Sequence, residues 1–421
     1  MVNESRGLPA IKNAFRALAG RDFRLYFLAQ CVSLIGMWAR QVAFAWVMYR
    51  LTGSAFMLGI VVFCWQFPTL ILSPFSPLLS DRFSRRGVLV VILIIQMAVG
   101  GTLAFLAWHG DLATWMLVTA SLVLGLTNAM EAPVRQAFTP DIVPDLALLP
   151  NALALVAVSV NASRLVGPAA AGAILAAFGD AACFAVNAFC YIPPICVLLV
   201  VHPAPAAEGE ECKSLGEGLR YARQFAPARW LLVSVVVTSC CLSPYLTFMP
   251  VYAKDILRAG PNTLGMLVTS FGCGALSAAL YLANRKSVVG LGNRSVAGAF
   301  AMAIASLAFA YNHVLWAAFP LLIVAGFGTY IVMTSSNILL QSLVPDNLRG
   351  QVMALYSMAF VGVLPVASLA AGGVAHFVGV QPVFVMSGLV FAALGFSLQR
   401  KLPELRQESH PVLEKKGLLH D

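Results

Sequence analysis

The chain has 421 residues, of which 60% are hydrophobic and 11% charged, with a formal net charge of +9. Its apolar residues come in long runs rather than amphipathic periods, which excludes an ordinary soluble domain and indicates a protein embedded in a bilayer. The basic excess would suggest a nucleic-acid partner in a soluble chain, but here it sits in loops between apolar runs and calls for no nucleic acid.

In chain order, residues 1–25 hold Arg6, Lys12, Arg16, Arg21 and Arg24 without an apolar core or a small-residue cleavage site, so they read as a cytoplasmic arm and not as a cleaved signal peptide. Crossing hydrocarbon takes about 20 mostly apolar residues. Runs of that kind predict spans at 26–49, 55–79, 87–108, 113–135, 150–177, 181–201, 230–252, 262–283, 294–311, 314–341, 351–375 and 381–399. They must be helices, because hydrocarbon offers no partner to a bare backbone amide, and the short alternating segments of a β-barrel are missing. The expected fold is an all-α membrane protein with twelve transmembrane helices.

The longest polar interruption, 202–229, follows the sixth span and contains "AAEGEECKSLGEGLRYARQFAPAR". It divides the chain into a six-helix half at 26–201 and a second at 230–399, with a cytoplasmic tail at 400–421. A pattern recurs in the two halves: Val143-Pro144-Asp145 ahead of a stretch ending at Gly172, and Val344-Pro345-Asp346 ahead of one ending at Gly372. Six spans separate the copies, so they share one orientation, as parallel repeats do.

Lysine and arginine accumulate in loops that stay in the cytoplasm. All but Arg40, Arg50, Arg164, Lys254 and Arg258 of the 27 fall on one side of this topology. Both termini, and the loop "LLSDRFSRRGVLV" after the second span, are therefore expected in the cytoplasm.

An ionisable group within a span costs about 2.5–3.5 kcal/mol on insertion scales, so it faces a cavity or a partner. Arg40 in the first span, Glu131 in the fourth and Arg164 in the fifth are such groups. Gln30, Ser33, Met37, Arg40 and Gln41 share one helical face, as do Tyr330, Thr334, Asn337 and Gln341 in the tenth span. Interhelical hydrogen bonding is the alternative use of each stripe. Glu131 and Arg135 stand four residues apart with the acid first, which allows a salt bridge within one helix. The alternative for Glu131 is proton exchange, since burial favours the neutral form of an acid.

Enzyme signatures are missing: there is no HExxH, no G-x-S-x-G, and no paired acids or histidines within spans. No G-x-x-x-x-G-K-[ST] loop points to an ATPase domain or partner. Of nine cysteines, all but Cys212 fall in spans and none forms a CxxC pair, so neither a metal nor a cofactor is expected.

Three features carry a family resemblance. The loop after the second span reads Pro77, Asp81, Arg82, Ser84, Arg85 and Arg86, against G-x-x-x-D-R-x-G-R-R, with both glycines replaced and every charge kept. The block "APVRQAFTPDIVPD" is followed by "NASRLVGPAAAG", where Gly167, Pro168 and Gly172 match the helix-5 antiporter motif and Ala171 replaces a glycine. "SLGEGLRYARQFAPAR" and "VPDNLRGQVMALYS" match the basic linker and the loop entering helix 11. With these motifs in order, the chain resembles the major facilitator superfamily (MFS fold), in the branch that contains the enterobactin exporter and macrolide-efflux proteins.

That resemblance implies a secondary active exporter working by alternating access in the cell inner membrane, not an enzyme. Asp81, with Arg82, Arg85 and Arg86, would form the gating motif. Helices 1, 4, 7 and 10 would line the substrate cavity, with Gln30, Arg40, Gln41, Asn128, Tyr245, Tyr330, Asn337 and Gln341 contributing, and Arg164 of helix 5 joining them. Glu131 is the candidate for proton coupling. Relatives that couple to protons carry an acid in helix 1, where this sequence reads "GMWARQ", so facilitated export stands beside proton antiport. The two arginines favour a small anionic metabolite such as a siderophore. Multidrug or macrolide-type efflux is the second reading, and a sensor or scaffold that no longer transports is the third. The partners expected are the small-molecule substrate, the lipid bilayer and protons.

Overall fold

The computed structural model describes residues 16–72, 84–143, 145–201, 216–285 and 287–416, the side chain of Leu146 excepted. Pro74, Pro77, Asp81, Arg82 and Cys212 lie outside the described residues. Eleven helical segments among those described are long and apolar enough to cross a membrane. They are α1 Arg21–Thr52, α2 Ala55–Leu72, α3 Arg85–His109, α4 Thr114–Ile142 and α5 Leu149–Val200, then α7 Ala226–Ile256, α8 Pro261–Ala283, α9 Leu291–Ala310, α10 Leu315–Leu343, α11 Asp346–Val378 and α12 Val380–Lys415. A short helix, α6 Gly216–Gln224, lies between α5 and α7.

Helix α5 carries two of the predicted crossings. The chain changes direction at Gly179, whose φ of 77° lies in the left-handed region open to glycine, within the short polar gap between the fifth and sixth predicted spans. Within the sixth crossing, Pro193 and Pro194 open a new helical stretch. The start of α3 is set by Ser84, whose hydroxyl accepts from the Gly87 N–H at 3.2 Å.

The outer surface is apolar. Trp108 and Trp115 flank the turn between α3 and α4 and are 80% and 64% exposed. Trp316 at the start of α10 and Phe377 at the end of α11 are as open. Large apolar side chains turned outward, with tryptophans near helix ends, belong at a lipid surface with interfacial anchors.

The packing separates into two compact units. One holds the described residues up to Phe44 and those from Ile71 to Val201; the other holds Ala45–Leu70 and the described residues from Gly216 onward. Helix α1 contributes to both.

In the first unit, Phe23 and Tyr26 of α1 pack with Leu89 and Leu93 of α3, Phe138 of α4 and Tyr191 of α5. The Tyr26 and Phe138 rings meet edge to face at 5.5 Å. Gly167 lets α5 close on α1: a Cβ there would stand 2.5 Å from the Trp38 Cβ and 2.9 Å from the Ile35 carbonyl oxygen. Nearby, the Asn187 amide donates to the Gly36 carbonyl at 2.7 Å.

In the second unit α10 lies between α8 and α9 on glycines. Gly274 faces the Ile323 carbonyl, Gly326 the Phe271 carbonyl, and Gly298 the Gly328 carbonyl, so these backbones touch without side chains between them. Two π turns interrupt the helical ladder, Tyr252–Ile256 in α7 and Met358–Gly362 in α11. The second frees a carbonyl at Phe360, which accepts the Ser239 hydroxyl at 2.7 Å. Ser306 donates to Phe384 O at 2.8 Å and Ser387 to Cys241 O at 2.9 Å, joining α12 to α9 and α7. Gly59 of α2 packs on α11, where an added Cβ would stand 2.7 Å from the Ser368 carbonyl oxygen.

Helix α12 runs on from the predicted span end at Gln399 to Lys415. Leu402, Leu405 and Leu413 recur at helical spacing there, giving the extension an apolar face after the uninterrupted apolarity of the span has ended.

Candidate functional site

The first unit holds a buried polar set whose members come from four crossings. Glu131 on α4 is 5% exposed and both of its carboxylate oxygens are bonded. Gln96 of α3 donates to Oε2 at 2.7 Å, and Arg135, one turn along α4, donates to Oε1 at 2.8 Å. The ion pair within one helix that the spacing allowed is therefore formed. Thr127 lies 3.4 Å from the same Gln96 nitrogen. Each oxygen has one donor, one of them charged, so the carboxylate is compensated inside an apolar bundle.

Arg40 on α1 is 4% exposed and donates to the Tyr191 hydroxyl at 3.0 Å. Tyr191 is itself 1% exposed. Among the described residues no carboxylate forms an ion pair with Arg40. Arg164 on α5 is half-buried, with its guanidinium 5.1 Å from the centre of the Trp38 ring on α1, within cation–π range. Gln30 is buried, while Gln41 and Asn128 are half-buried. Gly167 and Pro168 of the helix-5 motif are buried, as is Gly172.

At the start of α3, Arg85 donates to both carboxylate oxygens of Asp141 at 3.0 Å and to the Ala137 carbonyl at 3.0 Å, clamping α3 to the end of α4. Arg86 donates to the Leu199 carbonyl. Asp81 and Arg82, the other members of this loop motif, lie outside the described residues. The Arg85 and Asp141 side chains are only 16% and 9% exposed, so breaking the pair leaves a poorly solvated charge. Asp141→Ala is expected to destabilise the protein by about 3 kcal/mol. Arg85→Lys is expected to lose less of that stability, because all three bonds are made by the one nitrogen Nη1, whose place a single ammonium can take while keeping the charge. Thermal unfolding of the purified protein measures both.

The second unit places its four candidates differently. Tyr245 of α7 is 2% exposed and sits among Phe384, Phe271 and Phe309, with ring centroids at 4.9, 5.3 and 6.1 Å. Its surroundings are an aromatic core. Tyr330 is half-buried beside the apolar cluster around Ile331 and Leu282. Asn337 is half-buried and accepts from the exposed Gln341 amide at 2.7 Å, a bond within α10 itself.

Sequence reasoning missed Gln96, Tyr191 and Asp141. Gln96 could have been found as the one amide in the third span. Asp141 stands in the quoted block "APVRQAFTPDIVPD", and only the fold shows that it faces Arg85. Tyr191 had no signal beyond its place ahead of two prolines.

The family described as transmembrane secretion effector matches residues 12–417. The staphyloferrin A transporter of Staphylococcus aureus is 24% identical over 400 residues, covering 92% of this chain and 99% of its own. The multidrug efflux pump Tap of Mycobacterium tuberculosis is 23% identical over 397 residues, covering 91% and 94%. The solved structure of a bacterial homologue of the iron transporter ferroportin, in an inward-facing state, superposes with a TM-score of 0.67 at 18% identity, over 90% of this chain and 98% of that one. A bundle of apolar helices with a buried polar set, matched along nearly its whole length by multi-pass transporters, identifies the chain as a member of the transmembrane secretion effector family of major facilitator superfamily transporters.

Proposed function

We propose that this transporter exports a small organic anion of the metal-chelating, siderophore class from the cytoplasm by alternating access, in exchange for protons. In this reading both termini are cytoplasmic, the protein resides in the inner membrane, and the halves 26–201 and 230–399 move against each other.

The observation that carries the reading is Arg40. A guanidinium buried in a membrane bundle is ordinarily matched by a carboxylate. The partner of this one is a neutral hydroxyl, so an anionic substrate would supply the missing countercharge. Arg164 would add a second positive group beside an aromatic face. Similarity to a staphyloferrin A transporter favours the same chemistry. Glu131, held by Gln96 and Arg135, would release Arg135 when protonated, which is what a coupling site needs. The arginine loop would act as the inner gate, with Arg85 fixed to Asp141 as its anchor.

The test is mass spectrometry of spent medium from deletion and complemented strains, grown with and without iron. A metal-chelating anion is expected to be missing only from iron-starved deletion medium, and to be restored by the wild-type gene but not by Arg40→Gln. Identical media would overturn this reading in favour of drug efflux. That second reading rests on Arg164 over the Trp38 ring, an arrangement that also suits flat apolar molecules, and on the similarity to Tap. A toxicity panel would then identify the compound.

A further inference from the structure

The corner between α8 and α9 gathers positive charge that its own helices leave unmatched. Between Asp255 and Asp346 the sequence has no acid, so α8, α9 and α10 contain none. Arg285 nevertheless follows the end of α8, and Arg294 is the fourth residue of α9, beside the positive end of that helix's dipole. Gly290 turns the chain between them at a φ of 79°, in the left-handed region. A Cβ there would stand 3.1 Å from Nη1 of Arg294, so the glycine also leaves room for that guanidinium.

Both arginines converge on one neutral group. Nε of Arg294 donates to the Tyr281 hydroxyl at 2.8 Å, and Arg285 reaches the same hydroxyl while its Nη2 donates to the Val289 carbonyl at 3.3 Å. Among the described residues neither forms an ion pair. Glu404 on the α12 extension is engaged by Lys401. Only Nε of Arg294 makes a hydrogen bond among the described residues, which leaves both Nη groups, the part of a guanidinium that grips phosphate.

The surroundings indicate where an anion would come from. Ser277, Leu280, Tyr281 and Asn284 are exposed and recur at three- and four-residue steps, so they form one outward stripe of α8 that ends at the arginines. Leu280 is 57% exposed and Tyr281 44%. A largely apolar stripe closed by tyrosine and arginine is the pattern of the hydrocarbon edge. A lipid brings its phosphate to that depth with its acyl chains already on the stripe, whereas a soluble anion gains nothing from the apolar part.

We infer that this corner binds the phosphate of an anionic phospholipid, gripped by Arg285 and Arg294, with the acyl chains along the α8 stripe. The ammonium of a zwitterionic headgroup would be repelled by the same pair, so phosphatidylglycerol is favoured over phosphatidylcholine. The site belongs to the second unit alone and does not rest on the export reading above.

The experiment is native mass spectrometry of the purified full-length protein in an uncharged detergent, titrated with phosphatidylglycerol or with phosphatidylcholine. The wild-type protein is expected to retain one phosphatidylglycerol under conditions that strip phosphatidylcholine. The double variant Arg285→Gln, Arg294→Gln is expected to weaken that site about 30-fold, and each single variant about fivefold, the effect of one arginine at a lipid surface. Arg220→Gln, Arg223→Gln, which removes the same charge from the exposed surface of α6, is expected to leave it unchanged. Inorganic phosphate is expected neither to bind saturably nor to displace the lipid. The comparison of the two lipids uses the wild-type protein, so it stands whether or not the double variant folds. Equal retention of the two lipids, undiminished phosphatidylglycerol binding in the double variant, an equal loss in the α6 variant, or displacement of the lipid by inorganic phosphate would each overturn the assignment.

Discussion

Glu131→Gln is expected to remove the pH dependence of export and to lower gradient-driven turnover by at least about tenfold, while substrate counterflow without a gradient continues. The substitution keeps the length and shape of the side chain, so Gln96 on α3 retains an oxygen to donate to. What it removes is the site a proton would occupy and the charge that holds Arg135 at 2.8 Å. If the carboxylate serves only to pair with Arg135, the variant loses stability and expression, but whatever transport remains keeps the wild-type response to pH. If the carboxylate carries the coupling proton, the pH response disappears even in protein that folds normally. Transport into inverted vesicles, measured with and without an imposed proton gradient, separates the two. An unchanged pH profile would make Glu131 a structural residue and leave facilitated export as the mechanism.

Gly326→Leu is expected to leave almost no folded transporter in the membrane. The glycine faces the Phe271 carbonyl across the α8 and α10 crossing, and Gly274 faces the Ile323 carbonyl from the other side. Both neighbours are backbone atoms of helices that also pack elsewhere, so neither can swing aside as a flexible side chain would. Overpacking in a core usually costs about 1–3 kcal/mol, and more where the obstacle cannot yield. The comparison is Gly101→Leu on α3, where an added Cβ meets nothing within 4 Å. Fluorescence-detected size exclusion of the two variants should give a lost peak for the first and a near-normal one for the second.

The crossings were legible in the sequence because apolarity over about twenty residues is a one-dimensional property that hydrocarbon enforces on its own. The turn at Gly179 followed from the same pattern. The site was legible only in part. Arg40 and Glu131 stand out because charge within a span is expensive, but their partners Tyr191 and Gln96 are ordinary side chains whose roles arise from which helices become neighbours. Tyr245 illustrates the reverse. Its polar hydroxyl suggested a cavity wall, yet most of a tyrosine is apolar, and Phe271, Phe309 and Phe384 enclose the ring. Helical periodicity tells which residues share a face and not what that face meets. The extension of α12 read as a tail because its charged residues outweigh its leucines, and only the bundle beneath it turns those leucines into a buried side.

The π turn at Met358–Gly362 is a matter of phase as well as of hydrogen bonding. One extra residue in a helical turn rotates everything beyond it by about 100° relative to an unbroken α-helix. Ser368 and Gly372, which meet Gly59 of α2, lie beyond that turn. The inserted residue therefore works as an angular offset that decides which side of α11 meets α2. A one-residue deletion inside the turn would restore a regular helix and present the wrong flank, whereas a compensating insertion before Ser368 would bring the glycine seam back into alignment.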